Sequence, residues 1–165
     1  MSTLLEQAEL AADLLGAAAH ENGRIVCTAE SLTGGMVSEL ITSVAGSSAW
    51  FDRGYVTYQI SGKEEMIDVP AEVIAEFGVV SEPVAEAMAR GALACSHADL
   101  SVALTGVAGP SGGTAQTPVG TVCIGWAERD PSGAIATSVR TIHVTGDRRT
   151  CLLYTSPSPR DRQKS

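Results

Sequence analysis

The sequence predicts an α/β fold: one three-layer α/β/α domain built on a mixed sheet of about five strands. Three observations carry that expectation. Short apolar runs rich in β-branched residues alternate with apolar residues at helical spacing through the first half. Two strand-like runs close the domain around the turn residues Asp130-Pro-Ser-Gly133, as a hairpin does, so the sheet is mixed and covered on both faces. The chain has 165 residues, 44% of them hydrophobic, which suffices for one core and is too little for two comfortable ones.

Taken in order, Leu4, Leu5, Ala8, Ala11, Ala12 and Leu15 repeat at helical spacing and predict a first helix over 3–22, with Gly23 just past its end. Residues 24–28 read as a buried strand. Met36, Val37, Leu40, Ile41 and Val44 form the next apolar stripe, stopped by Gly46. Residues 51–58 carry aromatic and β-branched side chains and predict a strand. Ser61 with Glu64 fits a capping box, which starts a short helix over 62–67. Pro70 opens another helix through Phe77 and Gly78, and 82–95 is a long alanine-rich helix. Strands follow at 100–104, 120–128 and 134–144.

Composition excludes several function classes. A formal charge of −8 and a pI near 4.8 repel a phosphate backbone, and no Lys/Arg cluster offers it a footprint, so nucleic acid is not an expected partner. No apolar stretch reaches the roughly 20 residues of a membrane helix, and the N-terminus lacks a basic-then-apolar leader. A cytoplasmic protein is expected. Cys27, Cys95, Cys123 and Cys151 have no paired metal spacing and read as reduced structural thiols.

Chemistry concentrates at strand-to-helix corners, where loops are free and helix N-termini attract negative charge. Ser31, Thr33, Gly34 and Gly35 occupy such a corner. Ser31 is either the cap of the following helix or a nucleophile presented to a cleft. A nucleophilic serine needs a base. His20, His97 and His143 sit at no such corner, whereas Lys63 is the only lysine in the first 150 residues and falls in the first turn of its helix, where the dipole disfavours an ammonium. Lys63 is either an exposed surface lysine or a base that has lost its proton. Tyr58 lies five residues before it and can serve as a hydrogen-bonding bridge or as a core tyrosine. The loop from Thr105 to Gly113, with Gly106 and Gly109, exposes backbone donors of the kind that bind phosphate or carboxylate, but lacks Walker or dinucleotide spacing. Arg148 is a solvated surface charge or a phosphate ligand.

Five blocks in order resemble the carboxy-terminal domain family of the competence/damage-inducible protein CinA. They are Glu30-Ser-Leu-Thr-Gly-Gly35; Gly54-Tyr-Val-Thr-Tyr58 with Lys63; Val80-Ser-Glu-Pro-Val-Ala-Glu-Ala-Met-Ala89; Ala103-Leu-Thr-Gly-Val-Ala-Gly-Pro110 with Pro118-Val-Gly-Thr121; and Gly146-Asp-Arg148. The resemblance implies a bacterial nicotinamide-nucleotide amidase that hydrolyses nicotinamide mononucleotide to nicotinate mononucleotide and ammonia, with no metal and no cofactor. It implies Ser31 as nucleophile, Lys63 as general base and Tyr58 as assisting hydroxyl. Thr33, Gly34, Gly35, Thr105, Gly106, Gly109 and Arg148 are the expected substrate-binding residues. The expected partner is this small nucleotide, within a homo-oligomer. Gln59-Ile60 stands where the family commonly has Ser-Asn, which leaves a catalytically silent nucleotide-binding module as the alternative.

Residues 151–165 change composition sharply. The run Cys151-Leu-Leu-Tyr-Thr-Ser-Pro-Ser-Pro-Arg-Asp161 back-translates as a transposase-adapter sequence used in DNA library preparation. The domain is therefore expected to span 1–150, with 151–165 a non-native tail in place of the family's final helix.

Overall fold

A computed structural model describes residues 3–154. The elements are α1 (Leu4–Glu21), β1 (Val26–Glu30), α2 (Met36–Thr42), a 3-10 turn (Ser47–Ala49), β2 (Phe51–Val56), α3 (Ile60–Ile67), α4 (Ala71–Phe77), α5 (Glu82–Ala94), β3 (Leu100–Gly106), β4 (Thr121–Arg129), β5 (Ile135–His143) and α6 (Arg148–Tyr154). The five strands form one sheet in the order β2-β1-β3-β4-β5. β1 pairs parallel with β2 and with β3, while β3–β4 and β4–β5 are antiparallel. This is the expected mixed sheet. β1 is buried throughout and β3 along all but its last residue, because helices cover both faces, whereas the edge strand β5 alternates half-buried and exposed residues.

Side chains alternate across the sheet and feed two cores. On one face Val26, Val102, Leu104 and Ile124 pack with Ala19 of α1 and with Val37 and Ile41 of α2. On the other, Cys27, Ala29, Ala103 and Ala127 pack with Ile67 of α3, Ile74 of α4 and Met88 and Leu93 of α5. Local chemistry starts the helices. In α1 the Thr3 N–H donates to Glu6 Oε2 at 2.7 Å and the Glu6 N–H to Thr3 Oγ1 at 3.2 Å, a complete capping box. In α5 the Ser81 hydroxyl accepts from the Val84 N–H, with a proline in the first turn.

Several boundaries differ from the sequence expectation: β2 ends at Val56 and β3 runs on to Gly106, β4 and β5 differ by a residue at each end, and three further differences have a local cause. β1 begins and ends two residues later, at Glu30, because Arg24 and Ile25 are tied to neighbouring segments: the Arg24 N–H donates to the Ala19 carbonyl and the Ile25 N–H to Asp99 Oδ2. α3 starts at Ile60 with Gln59 as its cap, so the Ser61–Glu64 capping box does not form. The strand pairing that runs on to Thr57, whose N–H donates to the Glu30 carbonyl, forces the turn earlier. Pro70 is the cap of α4 and not its first helical residue. Where no final helix is expected, the described residues Arg148–Tyr154 form α6, which packs against α1 and buries Cys151. Of the expected non-native tail, residues 151–154 belong to α6 and those from 155 onward lie outside the described residues. Among the described residues no helix is long and apolar enough to cross a membrane.

The layers approach closely where α5 lies on the sheet. The Ser101 hydroxyl donates to the Ala89 carbonyl at 2.6 Å, and a Cβ on Gly125 would collide with the carbonyl group of Ala85, 2.6 Å from its carbon. Gly125→Ala is expected to lower stability by about 1–3 kcal/mol through overpacking, read from denaturant midpoints at unchanged m-value.

Candidate active site

β1 delivers its last residue, Glu30, to the carboxyl edge of the sheet, and residues 31–35 turn the chain into α2. Gly34 and Gly35 both take left-handed backbone, at φ of 59° and 107°, which glycine adopts at no steric cost. No side chain at Gly35 can cap α2. Glu30 does so from the strand: its Oε1 accepts the Val37 N–H at 2.8 Å, and its Oε2 accepts the Ser38 N–H at 3.0 Å and the Ser38 hydroxyl at 2.7 Å. The carboxylate is wholly buried, so these charge-assisted bonds at the positive end of a helix are what make its burial tolerable. Glu30 capping leaves the Ser31 hydroxyl free of that task, and the two readings of Ser31 separate on this point.

The same network explains Gly54. Thr28 Oγ1 lies 2.8 Å from Ser38 Oγ, and a Cβ at Gly54, the register partner of Thr28, would strike Ser38 Oγ and lie 2.7 Å from Thr28 Oγ1. Glu30, Ser38 and Gly54 were not among the sequence candidates. The visible signal was an acid ending an otherwise apolar strand.

Lys63 comes to Ser31 from the far side. It is the fourth residue of α3, and helical side chains lean toward the helix N-terminus, so its amine reaches back to the end of β2. Nζ donates to the Thr57 carbonyl at 2.7 Å and to the Tyr58 carbonyl at 3.4 Å, and lies 3.0 Å from Ser31 Oγ. The lysine has no exposed surface, and Ser31 is 7% exposed. Burial, which disfavours the charged form, pulls the amine down to about 8 from its usual 10.5. The geometry suits a neutral amine. Carbonyl oxygens only accept, so they hold two N–H groups, and the lone pair is left for the Ser31 hydroxyl.

A second cluster sits at the mouth. The exposed Arg148 guanidinium donates to the Gly109 carbonyl at 2.8 Å and to the Tyr58 hydroxyl at 3.2 Å. Tyr58 thus meets Arg148 through its side chain and Lys63 only through its carbonyl. Three residues that sequence considered separately are joined here. Gly106 and Gly109 lie where backbones crowd: a Cβ on Gly106 would stand 2.6 Å from the Thr121 carbonyl oxygen, and one on Gly109 would stand 2.5 Å from a Val119 methyl. Thr105 is fully buried and donates to the Val79 carbonyl at 2.9 Å. Thr33 is buried beside the glycines, its hydroxyl without a partner. The exposed side chains of His20, His97 and His143 take no part in the Ser31–Lys63 contact.

Comparison with known proteins identifies the family. The family model described as CinA C-terminal domain matches residues 8–155. The chain is 46% identical over 134 residues to the nicotinamide-nucleotide amidohydrolase PncC of Enterobacter agglomerans, covering 81% of this chain and 79% of that one. It is 51% identical over 113 residues to the protein of the same name from Escherichia coli K12, covering 68% of each. Among solved structures, the competence/damage inducible protein CihA from Agrobacterium tumefaciens superposes with a TM-score of 0.85 at 38% identity, covering 94% of this chain and 93% of that one.

Removing the charge of Glu30 tests the corner. Glu30→Gln turns one acceptor oxygen into an N–H donor facing donors, and is expected to cost about 1–3 kcal/mol in denaturant unfolding. Ser38→Ala, which removes one of the three bonds, is expected to cost less.

Proposed function

Since the chain belongs to the CinA C-terminal domain family, we propose that it is a nicotinamide-nucleotide amidohydrolase, converting the carboxamide of nicotinamide mononucleotide to a carboxylate with release of ammonia. The observation that carries the mechanism is the 3.0 Å approach of a buried lysine amine to the hydroxyl at the glycine corner. Ser31 is the nucleophile and Lys63 its base. Neutral Lys63 takes the hydroxyl proton as Ser31 Oγ attacks the amide carbon, and returns it to the departing nitrogen as ammonia leaves. Water then attacks the acyl-serine, giving a proton to Lys63 that passes back to Ser31 Oγ. Two moderate steps replace direct attack of water on an unreactive amide.

The rest of the site is read from the same geometry. The Leu32 and Thr33 N–H groups follow the nucleophile directly and are free of backbone partners, which supports a role in holding the oxyanion. Arg148 uses two N–H groups on Gly109 and Tyr58, and a guanidinium carries five, so donors remain for the substrate phosphate on an acidic protein. Tyr58, held by that arginine, shapes the mouth beside the dyad. Thr105 braces the neighbouring strand end through Val79. Four free cysteines support a cytoplasmic setting for an enzyme of small-molecule salvage.

Ser31→Ala and Lys63→Met are each expected to lower kcat/KM for nicotinamide mononucleotide by about 10³-fold or more, measured as ammonia release on protein with a native melting transition. Turnover that survives both substitutions eliminates the dyad. Because the base is the neutral amine and burial sets its pKa near 8, kcat/KM is expected to climb about tenfold per pH unit below 8 and to level off above it. A flat profile between pH 6 and 8 would contradict Lys63 as the base.

A further inference from the structure

The parallel strands bring three hydroxyl side chains into a row. The registers Glu30↔Val56 and Glu30↔Leu104 continue one step further: the Thr57 N–H donates to the Glu30 carbonyl at 2.8 Å, and the Ser31 N–H to the Leu104 carbonyl at 3.0 Å. Ser31 is therefore flanked by Thr57 on one side and Thr105 on the other. The side chains of Ala29, Tyr55 and Ala103 all pack in the core beneath α5, and Ser31, Thr57 and Thr105 lie two residues beyond them. With a period of two along a strand, the three hydroxyls face the same side, the side from which Lys63 of α3 approaches.

Two of the three hydroxyls are engaged. Ser31 Oγ meets Lys63, and Thr105 Oγ1 donates to the Val79 carbonyl. Thr57 differs. Its N–H and carbonyl are both used, the latter by Lys63, and its side chain is wholly buried, yet Thr57 Oγ1 has no hydrogen-bond partner. Among the described residues only three buried side-chain polar atoms lack a partner: Arg24 Nε, Thr33 Oγ1 and Thr57 Oγ1. Two of these belong to the segments that carry or hold the dyad. A buried unpartnered hydroxyl costs the fold stability that an isosteric valine would keep. Its place next to Ser31 suits a group that is satisfied only with ligand bound.

We propose that Thr57 Oγ1 binds the reacting carboxamide, accepting one of its N–H groups and so turning the leaving nitrogen toward Lys63. This rests on the amidase reading above. The chemistry selects nitrogen over oxygen. An amide NH2 offers two donors and needs an acceptor, and Thr57 sits on the lysine side of Ser31, where the leaving group must collect its proton. The Ser31 Oγ–C bond forms, the C–N bond breaks, and the proton from Ser31 travels through Lys63 to nitrogen. Thr57 gains and loses none. Once ammonia has left, the same hydroxyl faces the position of the incoming water.

The test compares Thr57→Val and Thr57→Ser with the parent and with Ser31→Ala, measuring thermal midpoint and kcat/KM for nicotinamide mononucleotide and for the methyl ester of nicotinate mononucleotide, which has no N–H. The expected result is a midpoint for Thr57→Val equal to or above the parent, with amide kcat/KM reduced at least tenfold and ester turnover little changed. Thr57→Ser should return amide turnover to within about threefold of the parent. Undiminished amide turnover in Thr57→Val overturns the assignment, as does an ester rate that falls as far as the amide rate, or a lowered midpoint whose folded fraction accounts for the loss. If Ser31→Ala still turns over, the dyad itself fails. A Ser31-dependent enzyme indifferent to Thr57→Val sinks only the role of Thr57.

Discussion

A lysine amine held wholly out of water, 3.0 Å from a serine hydroxyl 32 residues away in the chain, sets the terms for everything around it. Burial lowers the pKa of that amine to about 8. Keeping it desolvated requires α3 to lie against the sheet edge, anchored by Ile67 in the core beneath α5. Keeping it in place requires two carbonyls just beyond β2, which hold two N–H groups and leave one direction, toward Ser31. The amine is thus positioned by backbone atoms that a side-chain substitution does not remove.

The acid adjacent in sequence to Ser31 is turned away from this arrangement. A buried carboxylate close to Lys63 would favour the ammonium. Glu30 is not in that position, because side chains alternate along a strand and its carboxylate caps α2 on the face opposite Ser31. Two backbone N–H groups and the Ser38 hydroxyl take its oxygens, with Gly54 leaving room for the network. The capping bonds hold the turn from Ser31 to Gly35 between a rigid strand and a helix, so one carboxylate orders the corner.

The mouth of the site depends on the last part of the chain. Arg148, at the start of α6, links the glycine loop after β3 to Tyr58 after β2. Cys151 of the same short helix is buried in the core with Ala19 and Val144. The segment that closes the first core therefore also presents a cation at the entrance to the second face. Arg148 is the first residue of that helix.

Much of the architecture was legible from local pattern. The strands β4 and β5 and the helices α1 and α5 follow from periodicity and turn chemistry, because alternation or 3.6-residue spacing is sustained there over nine or more residues. Ser31 and Lys63 stood out as a hydroxyl at a glycine corner and a solitary lysine in an awkward place. Sequence could not tell whether they meet. Ser61 and Glu64 carry a good capping pattern that strand pairing through Thr57 overrides. Glu30 caps residues seven and eight positions ahead of it, across a turn, which matches no local capping motif.

By itself, then, the order of residues determined most of the elements and the mixed character of the sheet, since these depend on contacts within a few residues, and it marked Ser31 and Lys63 as candidates without choosing between their readings. Only the tertiary structure decided that Lys63 loses its water shell, that Glu30 rather than Ser31 caps α2, that Arg148 reaches Tyr58, and that Thr57 stands next to Ser31. Each of those depends on sheet register and on helices closing over it, and register joins residues by hydrogen bonds between distant strands that no sequence window contains.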